Sequence, residues 1–96
     1  MSNDNALMSG VVQDEAMTLE RTGYMKTLAE EQIKNGQTQD GITTAKEAIT
    51  LLKSCINDHS SFQILEMNQL LAEAFTVNNQ ALEAITTYQE ILDATS

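Results

Sequence analysis

Ile42, Ala45, Ile49, Leu52 and Ile56 follow one another at alternating steps of three and four residues. That spacing gathers all five on one stripe of a helix, whereas a strand, whose side chains alternate every second residue, would scatter them over both faces. Ala48, Leu51 and Cys55 widen the stripe. A similar recurrence of Val12, Ala16, Leu19, Tyr24, Leu28 and Ile33 predicts an earlier helix over residues 11–35. Two further helices are expected. One spans 61–77, with Phe62, Leu65, Leu71, Ala72 and Phe75 as core; the other spans 80–94, burying Ala81, Ala84, Ile85, Tyr88, Ile91 and Leu92. The 96 residues contain no proline and only 4% aromatics. Ala, Leu, Glu, Gln and Met are plentiful, and the β-branched and aromatic residues never cluster as strands require. The expected fold class is all-α: two antiparallel helical hairpins with an N-terminal helical extension.

Punctuation between the apolar runs sets the expected boundaries. Asn35-Gly36 is a helix stop, because glycine takes the left-handed conformation that closes a helix. Gln37 to Gly41 then reads as a loop, with Thr44 and Glu47 as a capping box and Asp40 as an earlier cap. Asn57-Asp58-His59-Ser60 reads as a second loop, Ser60 and Gln63 as a second capping box, and Asn78-Asn79 as a turn. Gly23, about 1 kcal/mol worse than alanine inside a helix, is expected to break or kink the first helix near Thr22. Residues 1–10 are polar and contain Ser9-Gly10, which predicts a flexible N-terminus; residues 11–96 are expected to form one domain.

Lys and Arg total 5 against 14 Asp and Glu, a formal charge of -9. Such a surface repels phosphate backbones and anionic lipid, so neither nucleic acid nor membrane is an expected partner. The polar, acidic start lacks the basic and apolar segments of a signal peptide, and the single cysteine permits no internal disulfide. A reducing cytoplasm is the expected location.

Residues for catalysis or metal binding are sparse. His59 lies in a polar stretch with only Asp58 beside it, and reads as a surface histidine. Cys55 reads as a buried, inert thiol. Asp14-Glu15 and Glu30-Glu31 are adjacent pairs, which point apart on a helix and so do not form a carboxylate dyad. There is no phosphate-binding glycine loop, zinc-protease motif or calcium loop. No enzymatic activity, cofactor or metal is expected. Of the five methionines, Met17, Met25 and Met67 fall on or near helix faces, where they suit core filling or an adaptable binding groove.

Residues 65–92 resemble one unit of the tetratricopeptide-repeat family, a helix–turn–helix of about 34 residues. Leu71-Ala72 falls at the family's Leu-Gly pair, Phe75 at the following aromatic position, Ala84 at the small residue of the second helix and Tyr88 at its aromatic. Asn68 stands where the family has Trp, Ile91 stands at a small-residue position, and the closing Pro is missing. Residues 25–56 form a weaker copy, with Leu28-Ala29, Lys34-Asn35-Gly36 and the run Ala45 to Ile49 as its matching parts. This copy is expected to have a turn about four residues longer than the family's. The resemblance implies that Ala72 and Ala84 let two helices approach closely, that Phe75 and Tyr88 fill the space on either side, and that Asn79 takes the positive-φ turn position.

Repeat arrays need about three units to cover their apolar faces, and this chain has two. An apolar face should therefore remain for a partner. The leading expectation is a protein-binding module or chaperone that holds a helical or extended segment, with Leu65, Asn68, Ala72 and Phe75 as groove positions. In size, charge and class the chain is similar to the small tetratricopeptide-like chaperones of bacterial type III secretion. Two other readings are an acidic inhibitor of a basic toxin or nuclease, of the immunity-protein or antitoxin kind, and a subunit that fills the groove with its own copy as a homodimer. For the inhibitor, Asp14, Glu15, Glu20, Glu30, Glu31 and Asp40 are the available carboxylates.

Overall fold

The computed structural model describes residues 2–55 and 58–96, with side chains over 15–55 and 59–96. These residues form four helices, α1 (Ser2–Lys34), α2 (Thr38–Lys53), α3 (Asp58–Val77) and α4 (Ala81–Thr95), and no strand. Each helix packs on the next, α1 also touches α3, and the α4 backbone approaches α3 alone. The chain is thus two helical hairpins set side by side, all-α as the periodicity requires. Its shortest dimension, 14 Å, is that of two packed helices.

The core lies where α2 meets α3. Ile42, Ala45, Ile49 and Leu52 of α2 join Met67, Leu71, Ala74 and Phe75 of α3 in one buried cluster. The α2 stripe is buried as its spacing predicts; Leu51 and Cys55 are half-buried and Ile56 lies outside the described residues. Between α1 and α3 the link is polar. The buried Thr22 hydroxyl lies 2.9 Å from Gln63 Oε1 and 3.0 Å from the Leu19 carbonyl, and Lys26 pairs with Glu66 at 3.4 Å.

Several boundaries differ from those expected. α1 is unbroken at Gly23, an exposed position where an added Cβ would meet nothing. Packing of Thr22, Ala29 and Ile33 on either side of it outweighs the cost of one glycine. Its first turns occupy the segment set apart above as a flexible start. There is no loop over 37–41: α2 begins at Thr38, and the Gly41 amide already donates to the Gln37 carbonyl. Thr44 therefore sits inside α2, where its hydroxyl lies 3.0 Å from the Asp40 carbonyl and 2.8 Å from Gln32 Oε1 of α1 instead of capping. α3 starts at Asp58, so His59 is an exposed helical residue and not part of a loop. Ser60 donates to the Cys55 carbonyl, tying α3 to the end of α2.

The two hairpins are copies of one another at a period of 43 residues. Gly36 (φ 83°) and Asn79 (φ 60°) are the positive-φ turn residues and stand 43 positions apart. Gln37 and Gln80 precede α2 and α4 with nearly the same backbone angles. Around them each bond recurs at the same offset. Asn35 donates to Glu31 as Asn78 does to Ala74, Gln37 to Gln32 as Gln80 to Phe75, and Gly41 to Gln37 as Ala84 to Gln80. The Asn35 side chain reaches Gln37 as that of Asn78 reaches Gln80. Leu28-Ala29 aligns with Leu71-Ala72, and Ile42-Thr43-Thr44 with Ile85-Thr86-Thr87. Aligning Ala45 with Ala84 implies a longer first turn; the structure instead sets Gly41 at the position of Ala84, and the two turns are equal. The period exceeds the ~34 residues of a tetratricopeptide unit.

Gly41 is buried because α1 passes close by. A Cβ there would lie 2.6 Å from Ile33 Cγ1 and 3.1 Å from the Ala29 carbonyl oxygen. Gly41→Ala should lower stability by about 1 kcal/mol, the overpacking being partly offset by alanine's helix propensity. Adding Ile33→Ala should reverse the effect of the glycine substitution. A thermal-melt cycle over the four variants checks this, and additive losses would mean that Ile33 is not the obstruction.

Candidate functional site

The structure does not gather the four groove residues expected from sequence on one exposed surface. Ala72 and Phe75 are buried, Phe75 within the α2–α3 core and Ala72 on α3, which carries α4. Phe75 nevertheless borders an open cleft of about 350 Å³ with Lys46, Leu71, Thr87 and Glu90. Leu65 and Asn68 are half-buried. Lys46 of α2 covers the Phe75 ring, with its Nζ 5.4 Å from the centroid.

The exposed apolar surface lies elsewhere. On α4 only Ala84 and Thr87 are buried, while Ile85, Tyr88 and Leu92, expected in the core, are between 43% and 67% exposed. Their spacing places them along one line of the helix, beside the face that rests on α3. Ala81, also expected in the core, is exposed at the head of this line. With Thr76 near the end of α3 and Asn79 in the turn after it, Ala81, Ile85 and Tyr88 line a groove of about 300 Å³. Phe62, expected in the core of α3, is exposed as well. A second exposed line on α1 consists of Met17, Tyr24 and Leu28, which with Glu20, Arg21 and Met25 border a shallow groove of about 420 Å³. Met67, by contrast, is fully buried.

The repeat shows what the α4 line is. At the 43-residue offset, Ile85, Tyr88 and Leu92 correspond to Ile42, Ala45 and Ile49 of α2. Those three are at most 8% exposed, because α3 lies across them. The same face of the same structural unit is thus covered in the first hairpin and bare in the second. The periodicity of α4 correctly marks these residues as an apolar face, but spacing alone does not say whether another helix lies across it.

Charge divides between the hairpins. All five Lys and Arg residues lie in α1 and α2, whereas residues 58–96 carry six Asp and Glu and none of either cation. Of the carboxylates singled out above, Glu20, Glu31 and Asp40 are exposed, Glu15 and Glu30 are half-buried, and Asp14 lies outside the described side chains. Among the described residues no three His, Cys, Asp or Glu are grouped to hold a metal ion, and no helix is long and apolar enough to cross a membrane. Comparison with protein-family models, curated proteins and solved structures gives no match to this chain.

Proposed function

We propose that this chain is a non-enzymatic protein-binding module of tetratricopeptide-like construction, acting in the cytoplasm, which holds a helical segment of another protein on the bare face of α4. The observation that supports this reading is the contrast between Ile85, Tyr88 and Leu92 and their covered counterparts on α2. A face built like one that receives a helix is suited to receiving another, through apolar anchors at helical spacing. The surrounding carboxylates Glu83, Glu90 and Asp93 favour a helix that carries Lys or Arg beside its anchors. A chaperone role would follow if the bound helix were one that aggregates when bare.

The probe for this test is a labelled peptide of residues 58–77, the sequence that already covers the equivalent face of α2, carrying Glu66→Lys and Glu73→Lys so that its charge suits the acidic surroundings of α4. Titrating it with the intact protein should give saturable anisotropy that Ile85→Glu abolishes. No binding, or binding indifferent to Ile85→Glu, would overturn the reading.

A further inference from the structure

We propose that the helix received by α4 is α1 of a second copy of this chain, so that copies join head to tail and continue the array of hairpins. This rests on the α4 face being a helix-binding face, and it names the occupant.

The argument comes from the other end of the molecule. At the 43-residue offset, Met17, Tyr24 and Leu28 of α1 correspond to Ser60, Met67 and Leu71 of α3. The α3 residues are buried in or beside the cluster that α3 shares with α2, whereas their α1 counterparts are at least half exposed. The α1 line is therefore the bare equivalent of the α3 surface that covers α2, just as the α4 line is the bare equivalent of the α2 surface that α3 covers. The chain carries both halves of one interface, unpaired at opposite ends. Placing α1 of one copy on α4 of another reproduces the α2–α3 contact between molecules.

Charge and size agree with that pairing. Arg21 occupies the position of Ile64 in the middle of the α1 line, and α4 offers Glu90 and Asp93 with no cation of its own. Tyr24 replaces Met67 and Tyr88 replaces Ala45, so the intermolecular helices sit further apart than α2 and α3, with aromatic rings filling the added space. Because the two contacting surfaces differ, the contact is heterologous: each joined pair still presents one free face at either end, and growth does not stop at two.

Mixing two surface variants of the full chain tests this. Wild type should show a weight-average mass in sedimentation velocity that rises with concentration and does not level off at a dimer. Ile85→Glu and Tyr24→Glu should each be monomeric, with helicity unchanged and a melting temperature matching that of wild type diluted until it too is monomeric, because both positions are exposed in the single chain. Leu92→Glu and Leu28→Glu serve as second variants of each face. An equimolar mixture of Ile85→Glu and Tyr24→Glu should form a 1:1 dimer and nothing larger, since only one intact face remains on each. The proposal is overturned if wild type stays monomeric, if Tyr24→Glu leaves association intact, or if the mixture does not pair. A monomeric wild type that still binds the 58–77 peptide would remove the self-assembly alone and leave the helix-binding reading standing.

Discussion

Replacing Leu52 by alanine should cost the protein about 2–5 kcal/mol. Leu52 is fully buried and is one of the largest side chains in the α2–α3 cluster. Removing its three outer carbons loses their burial and leaves a void between helices that cannot simply close up, because Ala45, Ala48 and Ala74 already hold them near. A domain of this size has a total stability on the order of 5–15 kcal/mol, so the loss is a large fraction of it. The melting temperature should fall by roughly 10 °C or more. The control is Leu92→Ala, the same chemical change on the bare face of α4, which should shift stability by less than about 0.5 kcal/mol in a dilute monomer. Equal losses at the two leucines would mean that the cluster is not where the core lies.

Enlarging Ala84 to leucine should destabilise the protein by about 1–3 kcal/mol, by overpacking. Ala84 is buried on α4 at the position Gly41 holds on α2, where even one added carbon meets the neighbouring helix. Leucine there would wedge α4 away from α3. The α4 backbone rests on no other helix, so the loss should show as unfolding of α4 ahead of the rest. Far-UV circular dichroism should register a low-temperature step equivalent to about one short helix, absent from wild type. A single cooperative melt at the wild-type temperature would rule out the close approach of α3 and α4.

The helices, the core stripe of α2 and the positive-φ residue Asn79 are legible in the sequence because each rests on local physics: apolar spacing, glycine and asparagine at turns, and the absence of proline. What local physics cannot supply is the company a residue keeps. Gly41 looks like a loop residue by composition, yet it is a helical residue kept small by a neighbouring helix. Tyr88 and Ile85 have the pattern of core residues, and their twins on α2 are core; their exposure follows only from α4 having no neighbour on that side. The 43-residue period is also present in the sequence, in the recurrence of Leu-Ala-Glu and Ile-Thr-Thr. It is hidden by a search for the ~34-residue tetratricopeptide spacing. The candidate site was legible only as a shortage of cover. Its location on α4, away from Leu65, Asn68, Ala72 and Phe75, needed the packing.

The hydrogen-bonded link between Thr22 and Gln63 and the ion pair of Lys26 with Glu66 brace α1 against α3, while α4 has no such brace to α2. The two termini are therefore secured unequally. Solvent should gain access first through the C-terminal helix, whose amides would lose their deuterium protection early, and the slowest exchange would collect in α2, held along both flanks. A protease cutting in native conditions should accordingly nick near Asn78-Asn79 before it reaches the matching bend at Asn35-Gly36, although the two bends share one geometry.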